Sequence, residues 1–105
     1  MFGFGRAPEY LPNLFNEFTA SERFGSAAIE NTYLTALEKW KDNVYCLTDI
    51  SVVLTQKLWD YYLGERMADD LFALYSRLFE QHFDYVKQHL NREDYHYFCT
   101  VISWT

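Results

Sequence analysis

VYCLTDISVVLTQKLWDYYLG, residues 44–64, is the stretch that decides the fold. Leu47, Ile50, Leu54, Leu58 and Tyr61 recur at three- and four-residue steps, the spacing that gathers side chains on one face of an α-helix. No proline interrupts the stretch. Its first glycine is Gly64, the residue type that readily takes the left-handed conformation in which many helices end. The spacing predicts a helix from about Val44 to Leu63. A second row, Tyr45, Thr48, Val52, Thr55, Trp59 and Leu63, repeats at helical spacing about 120–160° around the same cylinder. A helix apolar on two sides is either central in its domain or half in an interface. Trp59 and Tyr45 are anchors of the kind that dominates protein–protein contacts, so Tyr45, Val52, Trp59 and Leu63 are candidate partner-binding residues.

Beyond Gly64, Met67, Leu71, Leu74, Leu78 and Tyr85 form one edge of an apolar arc. Phe72, Phe79, Phe83 and Leu90 form the other, with Asp69, Arg77, Glu80, Asp84 and Lys87 opposite. This pattern predicts an amphipathic helix from Glu65 or Arg66 to about Leu90, a main wall of the core. Asn91-Arg92 makes a short break, and a shorter helix is expected over Glu93 to Ser103. Asp69-Asp70 and Glu93-Asp94 fall in first turns, where carboxylates oppose the positive end of the helix dipole.

Upstream, Ile29, Tyr33, Leu37 and Trp40 line one helical face. That helix is expected to open at Thr19, whose T-x-x-E spacing to Glu22 fits a capping box, with Gly25 able to delay its regular start to Ser26. Asp42-Asn43 is the natural stop. The apolar register nevertheless continues from Tyr33 through Val44 to Tyr61 with only Ser51 polar, so one rod over 26–63, about 55 Å long, also fits. A break is preferred, because three helices of similar length bury one another while a rod leaves half its stripe without cover.

Residues 1–18 hold both prolines, Gly3, Gly5 and four phenylalanines. Phe2, Phe4, Leu11, Leu14, Phe15 and Phe18 are too apolar to leave in water. The segment is expected to be an irregular aromatic arm, with at most one helical turn at Asn13 to Phe18, packed on the bundle or on a partner. Phe2 and Phe4 therefore join the candidate partner-binding residues. The expected fold is all-α: a single helical-bundle domain over 19–105, with three long helices and a short fourth, behind an N-terminal arm over 1–18. A chain of 105 residues buries roughly two-thirds of its unfolded surface, enough for a core without a metal or disulfide framework.

Fifteen acids against nine bases give a net charge of −6, spread over the chain. Phosphate binding needs clustered Lys and Arg, so nucleic acid and anionic membrane are disfavoured as direct partners, while a basic protein is electrostatically acceptable. No apolar run approaches the length of a membrane span, and the N-terminus lacks the basic and apolar regions of a secretory signal. Cys46 and Cys99 lie inside apolar helical patterns with no C-x-x-C. Free thiols in a reducing cytoplasm are the expectation.

Catalytic motifs are absent: there is no G-x-S-x-G, and the G-F-G of the arm lacks the strand and helix that give a phosphate loop its meaning. No cofactor is implied. The three histidines are the only candidate chemistry. His82, His89 and His96 follow at seven-residue steps, and Glu93 with His96 makes an E-x-x-H pair, half of what a di-iron carboxylate bundle uses. No second such pair exists, and interior histidines usually bond a tyrosine or a backbone carbonyl instead. The leading expectation is a non-enzymatic module that binds another protein, basic partners included, or self-associates. Small acidic helical proteins include toxin-immunity proteins and phage-encoded inhibitors, an analogy of size and charge alone. The alternative is a bundle that holds a metal or small ligand through His82, His89, Glu93 and His96.

Overall fold

Asn43 breaks the long apolar register. In the computed structural model, which describes residues 13–64 and 68–103, its backbone is extended at φ −118° and ψ 111°. Its side-chain Oδ1 accepts from the backbone N–H groups of Tyr45 at 2.9 Å and Cys46 at 3.1 Å, the N-cap arrangement that satisfies donors a new helix leaves open. Two helices therefore replace one rod.

The described residues form an all-α bundle: α1 (Leu14–Ser21), α2 (Ser26–Trp40), α3 (Val44–Tyr62), α4 (Asp69–His89) and α5 (Arg92–Ser103). A single 3-10 turn, Glu22–Phe24, links α1 to α2. Gly25, at φ 102°, makes the bend before Ser26 in a conformation that a Cβ would strain. Gly64, at φ 86°, ends α3 as its position in the sequence implied. Asn91 opens α5, its Oδ1 accepting from the N–H of Asp94 at 2.8 Å.

The helix count and two starting points differ from expectation. Residues 14–21, expected to supply no more than one turn of an arm, make two turns of α1, because Leu14 and Phe18 are four apart and both reach the core. Thr19 is thus inside a helix and caps nothing; its hydroxyl donates back to the Phe15 carbonyl at 3.0 Å. Regular helix in α4 begins at Asp69 after an extended Ala68, with Asp69 and Asp70 in the first turn. Phe2 and Phe4 lie outside the described residues.

Helix α3 is the axis of the bundle and packs against each of the other four. Leu47, Ile50 and Leu54 are fully buried, surrounded by Ile29 and Tyr33 of α2, Phe18 of α1, Tyr75, Leu78 and Val86 of α4 and Phe98 of α5. Phe18 meets Tyr75 edge to face at 5.6 Å, which ties the first helix to the fourth. Among the described residues no helix is long and apolar enough to cross a membrane.

Candidate protein-docking face

The two apolar rows of α3 meet different surroundings along its length. Its 19 residues span about 28 Å at 1.5 Å each, whereas the 12 of α5 span about 18 Å. The shorter helix covers the N-terminal part of the second row. Tyr45 is half-buried with its ring edge-on to Tyr97 of α5 at 5.4 Å, Thr48 is buried, and Val52 and Thr55 are half-buried. Tyr45 was expected on an exposed row with Trp59, and the packing of α5 removes it from one.

The C-terminal end of the row is open. Trp59 is 50% exposed, Tyr62 66% and Leu63 71%, the concentration of exposed apolar side chains that marks an interaction site. They belong to a continuous set of rings. Tyr62 lies 6.0 Å from Trp59, 5.8 Å from Tyr61 and 5.4 Å from Phe72 of α4, each pair inclined at 66° or more, and Tyr61 stacks on Phe72 at 4.2 Å. Tyr61 and Phe72 are half-buried, so they form the base on which the exposed rings stand. The Tyr61 hydroxyl donates to Asp69 Oδ1 at 2.8 Å, and this bond to a carboxylate holds the phenol proton on and raises its pKa. Elsewhere Phe24 and Leu34 are exposed singly, which is ordinary for a protein surface.

Two buried polar arrangements brace the helices. His82 is fully buried, with Nε2 2.8 Å from the Leu47 carbonyl oxygen and Nδ1 2.9 Å from the Tyr33 hydroxyl. A carbonyl only accepts, so Nε2 carries the proton and Nδ1 takes the Tyr33 O–H. Burial pulls the imidazole down to about 4, opposed in part by the bond to Leu47, and burial likewise raises the Tyr33 phenol. One neutral ring thereby links α2, α3 and α4, with Phe98 of α5 against it at 6.4 Å.

The second arrangement was not foreseen. Lys57, 3% exposed, donates from Nζ to Thr19 Oγ1 at 2.7 Å and pairs with Glu22 Oε2 at 2.9 Å, and its ammonium lies 4.3 Å from the Phe15 ring centroid. The Tyr75 hydroxyl donates to the same carboxylate oxygen at 2.6 Å; burial first and then Glu22 raise the Tyr75 pKa. Lys57 falls three residues after Leu54 and four before Tyr61, so a cation on the core stripe was the available signal. An open hollow of about 670 Å³ beside Glu22, lined also by Ser26, Asp70, Leu74 and Arg77, adjoins this network.

The histidine alternative does not assemble. Both nitrogens of His82 are taken inside the core, His89 is exposed with its ring stacked on Tyr85 at 4.0 Å, and Glu93 and His96 are exposed on α5. Among the described residues no group of three or more His, Cys, Asp or Glu side chains is placed to hold a metal ion. Cys46 is buried and Cys99 half-buried, both as free thiols, and burial pushes the Cys46 thiol up to about 11. No family model matches the chain, and neither a curated protein nor a solved structure matches it.

Proposed function

We propose that this chain is a non-enzymatic docking module whose working surface is the end of α3: Trp59, Tyr62 and Leu63 over Tyr61 and Phe72. The supporting observation is the contiguous ring cluster exposed at the C-terminal end of α3. Rings of this type give large rigid contact area at low entropic cost, and their polar tips tolerate water when no partner is bound. The module acts in the cytoplasm, where Cys46 and Cys99 remain reduced.

An outside partner is favoured over self-association. Asp69, exposed in the first turn of α4, borders the rings through its bond to the Tyr61 hydroxyl. Two copies meeting face to face would bring their Asp69 carboxylates together. A photo-crosslinking residue at position 62 tests the reading, with the same residue at the exposed position 88, at the far end of α4, as control. A discrete adduct from position 62 in the host cell that Trp59→Ala abolishes supports docking here. Equal adducts from both positions, or a dimer of the protein itself, count against it.

A further inference from the structure

Helix α5 is tied to the bundle differently from the other helices. Lys57 binds α1 and the 3-10 turn to α3, the Tyr75 bond to Glu22 brings in α4, and α2 is joined to α4 by Tyr33 with His82 and by Glu30 with Arg77. Among the described residues no ion pair joins α5 to another helix. Of its 12 residues only Phe98 is fully buried. Rings hold it in place: Phe98 lies 5.8 Å and Tyr95 6.3 Å from Phe83 of α4, and Tyr97 lies 5.4 Å from Tyr45 of α3. A helix of this length with one core side chain opens more readily than the four helices it would leave behind.

The side of α3 that α5 covers is poorly suited to permanent burial. At 100° per residue, Thr48, Ser51 and Thr55 lie within about 60° of one another, and Thr48 lies about 60° from Tyr45, which faces Tyr97. The Ser51 and Thr55 hydroxyls are buried without a hydrogen-bond partner among the described residues. Water that reaches this side when α5 withdraws satisfies them.

Phe98 also covers His82, at 6.4 Å between ring centroids. The other groups at that imidazole are Tyr33 from α2, which stays neutral because burial raises its phenol, and the Leu47 carbonyl from α3. No charged side chain contributes to the lowered pKa of His82. Withdrawal of Phe98 therefore lets water reach the ring. A protonated imidazole donates from both nitrogens, and Tyr33 can meet it by turning its hydroxyl from donor to acceptor while α2, α3 and α4 stay where they are.

We propose that α5 is a hinged lid, which turns out about Leu90 and Asn91 while α1 to α4 stay packed, and that protonation of His82 in the opened state holds it out. Leu90 is extended at φ −89° and ψ 147°, so no helix has to break at the hinge. The closed state holds the His82 pKa at about 4, against 6.5 for a fully hydrated ring, so the open state binds the proton more tightly. Acidification from pH 7.5 to 5.5 then raises the open fraction by about tenfold. Asp49, near Tyr97 and with its carboxyl raised by burial, pulls in the opposite direction. Opening uncovers Tyr45, Thr48, Val52 and Thr55, the part of the row that leads to Trp59 and Leu63. The lid stands whether or not that end of α3 docks a partner.

The test is native-state hydrogen exchange of the full chain, followed by NMR at pH 7.5 and 5.5, with each rate corrected for intrinsic exchange at that pH. The expected result is protection of the Phe98 and Cys99 amides at least about tenfold below that of Leu54 in α3 and Leu78 in α4, falling by about tenfold on acidification. His82→Gln should keep the lower protection of α5 and lose most of its fall. If that variant does not fold, the wild-type comparison decides alone. Protection at Phe98 and Cys99 equal to that at Leu54 and Leu78 at both pH values overturns the lid, because α5 then unfolds only with the whole. Low protection in α5 that does not change with pH, or falls equally in His82→Gln, overturns the proposal by removing His82 from the opening.

Discussion

Acidification from pH 7.5 to 5.5 should destabilise this bundle through one side chain. His82 is neutral in the fold, with both nitrogens engaged, and its pKa is pulled to about 4 from an ordinary 6.5. A depressed histidine value means that the unfolded chain binds the proton first. Its stabilising contribution is complete above about pH 6.5, shrinks as pH falls below that, and is exhausted near pH 4. The two values differ by about 2.5 pH units, which caps the effect at about 3 kcal/mol, and linkage gives about 1.3 kcal/mol of it between pH 7.5 and 5.5. Tyr33, its phenol raised by burial, stays neutral throughout, and Asp49, whose carboxyl burial raises, acts in the opposite direction to His82 and is common to both proteins of the assay below. For a domain near 100 residues, that loss lowers the melting temperature by about 5–10 °C. The assay is thermal unfolding by circular dichroism at both pH values, in wild type and in His82→Gln. The amide can still donate to Leu47 and accept from Tyr33, but it does not titrate. The variant should therefore lack most of the pH dependence. Equal dependence in the two proteins, or none in wild type, would refute the role given to His82.

Three further substitutions probe the frame around the docking face. Lys57→Met removes the cation from a carboxylate whose side chain is 21% exposed, so urea unfolding should show a loss of about 2–4 kcal/mol, and adding Glu22→Gln should recover part of it. Asn43→Ala deletes the cap that separates α2 from α3 and should cost about 1 kcal/mol in the same assay, while Asn43→Asp should retain most of the stability. Ser51 has a buried hydroxyl with no hydrogen-bond partner among the described residues, so Ser51→Ala should leave the urea midpoint unchanged or raise it; a clear drop would reveal a bond the hydroxyl makes.

How much of this was legible in the sequence depended on the range of the cause. Asn43 and Gly64 act through their own backbone and nearest neighbours, so the bounds of α3 could be read within a residue or two. Helix α1 was obscured because Leu14 and Phe18 follow a proline- and glycine-rich stretch, and their helical spacing has force only once a core exists to receive them. Thr19 and Glu22 have the spacing of a capping box, yet both are drawn instead to Lys57, more than 30 residues away. A contact of that separation leaves no local pattern. An interior histidine bonded to a tyrosine, a backbone carbonyl or water was readable for the histidines as a group; His82 fits it through Tyr33 and Leu47, while His89 and His96 are exposed. For the docking face, the excess of apolar surface on α3 was visible, and Trp59 and Leu63 are indeed exposed. Tyr45 was misplaced because the reach of α5 over α3 is a tertiary fact.

The central claim is that Trp59, Tyr62 and Leu63 are surface groups awaiting a partner. Hydroxyl-radical footprinting with mass spectrometry, on the purified protein and on the same protein in extract of its host, measures this directly. The account predicts fast oxidation of all three side chains in isolation and protection of all three in the extract, with exposed positions on α5 unaffected. Slow oxidation in the purified monomer would mean the chain already covers its own rings, and would contradict the account.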